Sequence, residues 1–349
     1  MRPIRRISLR LERRGSLLPR GNEEACTFHD MSRTPLVSHI YTADPSAHVF
    51  NGRVYIYPSH DLDIDVPEND LGDHYAMEDY HVLSQDHPEA PATDHGQALH
   101  VKDVPWASRQ MWAPDAAYRD GKYYLYFPAK DKEGIFRMGV AVGDRPEGPF
   151  KAEPEPMKGS FSIDPCVFRD DDGEHYMAFG GIWGGQLQRW ATGQYLAEAK
   201  EPEGDALALC PKLAKLTSDM LQFAEAPRDV VINDAQGAPL KAKDTERRYF
   251  EGPWLHKRGD TYYLSYSTGD THLLVYATSK NVHGPYTFRG QMLTPPIGWT
   301  THHSIVEHNG RWWLYYHDAS LSRGVSSKRC VKVQELFYDA DGSIRLMQP

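Results

Sequence analysis

Five ionisable residues recur at one place in the pattern of this chain. Asp44, Asp115, Asp164, Glu251 and His302 precede the aromatic residues Tyr55, Tyr124, Tyr176, Tyr263 and Trp313 by 11, 9, 12, 12 and 11 positions. Carboxylates that converge in a polar cleft suit acid–base work on a glycosidic bond. One must be ionised at neutral pH and act as a base. Another must stay protonated and act as an acid. A third can hold the acid's pKa up, because like charges crowded in one pocket separate their pKa values.

The spacing demands an element that repeats. Each aromatic residue sits in a strand behind a tight turn: "NGRVYIYPS", "DGKYYLYFPA", "DGEHYMAFGG", "RGDTYYLSYS" and "NGRWWLYYHD". The turn residues tolerate positive φ, as hairpins require. Upstream, each ionisable residue opens a short apolar strand. Every unit is therefore a hairpin whose first strand begins with an ionisable group. The turns recur about 50 to 90 residues apart, enough for a four-stranded sheet and its loops. Five such units predict an all-β fold, a five-bladed β-propeller of four-stranded antiparallel blades around an axial channel. The first strand of each blade would line the axis and bring the five residues to one end of it.

The 349 residues carry a net charge of −9, which argues against a nucleic-acid partner. The 20 tyrosines and 8 tryptophans suit strands and sugar-binding surfaces. No run of about 18 apolar residues exists, so no membrane partner is expected. Residues 1–30 are expected to be a disordered basic tail, with Met31 a more natural start. The twin arginines Arg5-Arg6 lead into a stretch too charged for a signal, which favours the cytoplasm over the periplasm. Cys26, Cys166, Cys210 and Cys330 are far apart and read as free thiols. Residues 31–349 form one catalytic domain. Residues 205–225 are the one plausible helical stretch, interrupted by Pro211, and residues 183–249 read as an insertion in blade three. Residues 60–81, rich in acids and histidines, read as a loop of blade one at the pocket rim rather than a metal site. Trp106, ahead of Trp112, is the candidate aromatic wall.

The motifs "TADPSAHVF", "WAPDAAY", "SIDPCVFRDDDG", "EGPWLHKRGDTYYLSYS" and "HHSIVEHNGRWWLYYH", one per blade and in order, resemble glycoside hydrolase family 43 over roughly residues 35–349. The resemblance implies an inverting exo-hydrolase that releases arabinofuranosyl or xylosyl units from hemicellulose oligosaccharides, its partners. It implies Asp44 as general base, Asp164 as the aspartate that tunes and orients, and Glu251 as general acid. Asp115 matches an acid beside the site, and Arg329 a late arginine that hydrogen-bonds the sugar. His302 or its neighbour His303 matches a histidine facing a water-coordinated calcium in the axial channel. The chemistry itself would need no cofactor. Some xylosidase members add a large β-sandwich domain; the chain stops after the fifth unit, which tilts the expectation toward arabinofuranosidase or dual activity. A retaining fructosidase would need Asn-Asp-Pro and Glu-Cys, where this chain has Ala43-Asp44-Pro45 and Phe250-Glu251-Gly252. The non-enzymatic alternative is a lectin-like propeller.

Overall fold

Three of the five hairpin turns are two-residue turns with both residues at positive φ: Asn51-Gly52, Asp120-Gly121 and Asn309-Gly310. Only residues that accept the left-handed region fit there, and the turn's twist matches that of the strands it joins. The computed structural model describes residues 34–269 and 271–349. The expected tail, residues 1–30, and Cys26 lie outside the described residues.

The strands form five sheets around an axis. Blade one holds β1 (Tyr41–Phe50), β2 (Arg53–Asp61), β3 (Asp79–Gln85) and β4 (Thr93–His100). Blade two holds β5 (Asp115–Arg119), β6 (Lys122–Lys130), β7 (Phe136–Gly143) and β8 (Lys151–Ala152). Blade three holds β9 (Cys166–Arg169), β10 (His175–Phe179), β11 (Lys212–Lys215) and β12 (Arg228–Asp229). Blade four holds β14 (Tyr249–Arg258), β15 (Thr261–Thr268), β16 (Leu274–Ser279) and β17 (Tyr286–Leu293), with β13 (Ile232–Asn233) added in parallel beside β17. Blade five holds β18 (His303–His308), β19 (Arg311–Asp318) and β20 (Cys330–Leu336). The first antiparallel strands touch in a closed cycle: β1 meets β5, β5 meets β9, β9 meets β14, β14 meets β18 and β18 meets β1. The axis is therefore lined as the hairpin pattern requires.

The core lies between blades. Tyr57, Tyr80, Leu99 and Phe127 pack blade one on blade two. Val54, Ile56, Leu83, Trp313 and Tyr315 pack it on blade five. All five marker aromatics are buried, Tyr55 and Trp313 in these two layers and Tyr124, Tyr176 and Tyr263 in the clusters of the other blades. Among the described residues no disulfide closes the ring. The N–H of Leu36 donates to Val331 C=O at 2.8 Å and that of Thr42 to Arg329 C=O at 2.9 Å, lacing the start of blade one to the edge of β20.

Two expectations are corrected. Residues 205–225 form no helix. Pro211 lacks an N–H, and residues 212–215 instead pair with β10, where Leu213 and Ala214 are buried. The exposed edge of β10 offers backbone partners that override a weak helical preference. Residues 183–249 are not all insertion, because they supply β11 and β12 of blade three and β13 of blade four. Cys166, Cys210 and Cys330 are free thiols.

Candidate active site

A proline follows a left-handed residue at three inner strands. Asp44 (φ 48) precedes Pro45, Asp164 (φ 59) precedes Pro165, and Gly252 (φ 63) precedes Pro253. In β1, Ala43 pairs with Ser59 and Ser46 with Tyr57, so Asp44 and Pro45 together oppose Pro58 alone. In β14, Glu251 pairs with Ser267 and Trp254 with Ser265, so Gly252 and Pro253 oppose Tyr266. Both are bulges, which bend a strand and re-aim its side chains. Prolines suit them because a bulge leaves backbone groups out of the ladder. Holding Asp44 and Asp164 at positive φ costs on the order of 1–3 kcal/mol each, a strain characteristic of functional sites. A side chain at Gly252 would be strained and would approach the His302 ring at 3.3 Å.

Asp44, Asp164, Glu251, His302 and Arg329 all line one cavity of about 420 Å³. Asp44 is the most heavily partnered of the three acids. Its Oδ1 accepts from Arg329 Nη1 at 2.9 Å and its Oδ2 from Ser59 Oγ at 2.8 Å. Its own N–H donates to His317 Nδ1 at 3.0 Å. Burial would raise the Asp44 carboxyl, but Arg329, then His317 and His302, outweigh it and hold the group well below the usual carboxylate range. Arg329 is itself clamped: Nε and Nη2 donate to the two oxygens of Asp61 at 2.9 and 2.7 Å.

Asp164 and Glu251 behave oppositely. Burial first, and then the charge of Asp44, push Glu251 up to about 8 against the pull of Arg329. Burial, then the charges of Glu251 and Asp44, raise Asp164 well above the ordinary range. The N–H of Gly252 donates to Asp164 Oδ2 at 2.9 Å, which favours ionisation of Asp164. The two carboxyls titrate as a pair and keep protons where Asp44 keeps none. Burial holds the His302 imidazole near 4, hence neutral, with Nδ1 3.7 Å from Asp44.

Two sequence candidates lie elsewhere. Trp106 packs in the core, stacked on Phe127 with ring centroids 6.0 Å apart. Trp112 lines the cavity instead, held by an Nε1–H bond to Tyr75 C=O at 2.9 Å. Asp115 is at the axis but outside the cavity. Its Oδ1 accepts from Ser46 Oγ and lies 2.6 Å from His48 Nε2, and its Oδ2 accepts from Val167 N–H. It ties blade two to blades one and three. His303 is fully buried, with Nε2 2.6 Å from Ser265 Oγ.

Sequence reading missed Ser59, Asp61, Tyr75, Thr300 and His317. Ser59 and His317 each stand four residues after their blade's marker aromatic. A hairpin's second strand ends where its first began, so a polar residue there is a legible signal. Of the rim loop expected over residues 60–81, residues 62–78 lie between β2 and β3 and wall the pocket with Glu68, Asn69, His74 and Tyr75, whereas 60–61 and 79–81 belong to the strands themselves.

A carboxylate held ionised beside a pair held protonated, in one pocket at the axis of a five-bladed propeller, defines a glycoside hydrolase. The model of the family "Glycosyl hydrolases family 43" matches residues 41–344. The chain is 60% identical over 324 residues to a xylosidase/arabinosidase 43A of Humicola insolens, spanning 90% of this chain and 99% of that one. It is 56% identical to a xylosidase/arabinosidase of Bacteroides ovatus, spanning 88% and 95%. A crystal structure of a β-xylosidase/α-arabinofuranosidase from a compost microbial metagenome, in complex with xylotriose and in calcium-free form, superposes with a TM-score of 0.90 at 62% identity, covering 91% of this chain and 98% of that one. The chain belongs to glycoside hydrolase family 43.

Proposed function

We propose that the protein is an inverting exo-glycosidase that removes terminal xylosyl and arabinofuranosyl units from hemicellulose oligosaccharides. One observation carries this reading: two carboxyl groups of one pocket, Asp44 and Glu251, are displaced in opposite directions. Asp44, ionised beneath Arg329, takes a proton from water as its oxygen attacks the anomeric carbon. Glu251, protonated below about pH 8, gives its proton to the departing glycosidic oxygen. Asp164 accepts the N–H of Gly252 and so fixes the backbone beside the acid, while burial and the charge of Asp44 keep Glu251 protonated. After turnover Asp44 holds one proton more and Glu251 one fewer, and exchange with solvent resets both. A cavity of about 420 Å³ is small among ligand pockets and suits one terminal sugar, with the remainder of the chain leaving past the rim. The names of the relatives support xylosyl and arabinofuranosyl substrates, and the xylotriose complex supports an oligosaccharide.

The calcium-free form of one relative raises the question of an ion in the channel. His302 fits a site with one protein ligand and waters: its imidazole is neutral, and neither ring nitrogen hydrogen-bonds to a described residue. His302 would hold the ion, which would supply fixed positive charge beneath the pocket.

The test is kinetics on nitrophenyl xyloside and arabinofuranoside, with the anomer of the first-formed xylose read by NMR. Turnover with inverted product is expected. Retained configuration would overturn the roles of Asp44 and Glu251. Silence on both substrates by folded protein would favour the lectin.

A further inference from the structure

Outside the pocket, among the described residues, one group of side chains has the composition of a metal centre. His60 at the end of β2, with Asp79 and His81 at the start of β3, place donor atoms within 4.8 Å of one another. Their arrangement follows from the sheet. Ser59 pairs with Tyr80, so His60 and Asp79 are the next neighbours across the ladder. Asp79 and His81 are two residues apart and share a face. That face is the one turned toward blade five, since Ile56 and Leu83 on the same strands pack there.

The hydrogen bonds leave donors free. His60 Nδ1 lies 2.6 Å from Asp79 Oδ1, and the His60 and His81 rings meet edge to face at 4.9 Å. His81 Nδ1 is held by Asp94 Oδ1 at 3.0 Å. Asp94 in turn accepts from Gly96 N–H and pairs with His39 Nε2 at 2.8 Å, so it is fully engaged. A carboxylate that grips one nitrogen of an imidazole fixes the ring and aims the other nitrogen, the usual support of a metal-binding histidine. Neither His60 Nε2 nor His81 Nε2 hydrogen-bonds to a described residue. All three candidate ligands are only 12–17% exposed at their side chains.

We propose that His60, Asp79 and His81 bind a divalent transition-metal cation such as zinc, with Asp94 positioning His81 and water completing the shell. Two imidazoles and a carboxylate are the donor set for a borderline cation rather than for calcium. Ligands of one zinc ion stand about 3.3 Å apart, so modest side-chain rotation closes the site. Its place gives it a consequence. β2 ends at Asp61 and β3 begins at Asp79, so the ion would clip together the two ends of the 62–78 loop that walls the pocket. It would also brace Asp61, the neighbour of His60 that clamps Arg329.

The experiment is zinc titration of chelator-stripped, desalted full-length protein by calorimetry, with thermal unfolding and limited proteolysis of the loop alongside. One zinc per chain is expected, with a higher melting temperature and slower nicking within 62–78. His60→Asn and His81→Gln should each weaken zinc at least about tenfold, and Asp94→Asn by about 10–100-fold. His302→Ala should leave this zinc in place, which separates the site from the axial channel. Should the histidine variants misfold, the absorption spectrum of cobalt-loaded wild type decides. Intense visible bands of four- or five-coordinate cobalt support the site, and the weak spectrum of the aquo ion refutes it. Absence of stoichiometric zinc, or equal affinity in the variants, would overturn the proposal.

Discussion

Replacing Glu251 with glutamine preserves shape and removes titration. In the folded chain the wild-type carboxyl is held at about 8, against 4.5 for an ordinary glutamate. At about 1.4 kcal/mol per pKa unit, the displacement corresponds to at most about 5 kcal/mol of folding free energy. Water at the pocket mouth screens the charge, which brings the expected effect to about 2–3 kcal/mol. The sign follows from proton binding. Between pH 4.5 and about 8 the folded chain holds a proton that the unfolded chain has released. Wild-type stability should therefore fall as pH rises through that window. Below it the penalty is absent, and above it the penalty is complete. Glu251→Gln never ionises and also relieves Asp164 of a charged neighbour, so its profile should be flatter. Urea midpoints for both proteins across the window make the comparison. Wild type should lose about 2–3 kcal/mol relative to the variant on going from acid to alkaline solution. Parallel profiles would refute the argument, because the Glu251 carboxyl would then have an ordinary pKa and could not serve as an acid at neutral pH.

Further outcomes follow from the same geometry. The kcat/KM of wild type should fall above about pH 8 as Glu251 ionises, while the acidic limb lies far lower because Asp44 stays charged, as read from nitrophenyl xyloside hydrolysis. Glu251→Ala should spare substrates with activated phenol leaving groups and cost natural oligosaccharides several orders of magnitude, whereas Asp44→Ala should impair both alike. Arg329→Met leaves Asp44 and Asp61 as buried, unpaired carboxylates, so it should cost about 3–5 kcal/mol in denaturant unfolding and shift the acidic limb upward. Trp106→Ala should lower the melting temperature through a loss of about 3–5 kcal/mol with KM unchanged, while Trp112→Ala should raise KM.

Periodic features were legible in the sequence, and features set by long-range packing were not. The turns at Asn51, Asp120 and Asn309 announced hairpins because few residues accept positive φ at both turn positions. The register from each acid to its aromatic marker then placed Asp44, Asp164 and Glu251 in one pocket. The tryptophans were misjudged because a ring that stacks on sugar and a ring that packs on Phe127 are written with the same letter. Asp115 follows the inner-strand pattern yet spends both oxygens on neighbouring blades, and only the contacts reveal this. The apolar stretch around Leu213 carried no strand signature of its own; the open edge of β10 decided its conformation.

The seam of the ring has a bearing on when the protein becomes an enzyme. Arg329 reaches back across 268 residues to Asp61 and 285 residues to Asp44. The guanidinium that keeps Asp44 ionised thus arrives only with the last blade, at the point where the circle is shut. A nascent or unzipped chain has its acids but lacks this counter-charge, and Asp44 reverts to an ordinary solvated aspartate in an open cleft. Closure of the circle is therefore the step that assembles the site: burial and counter-charge reach Asp44 together, with the final blade.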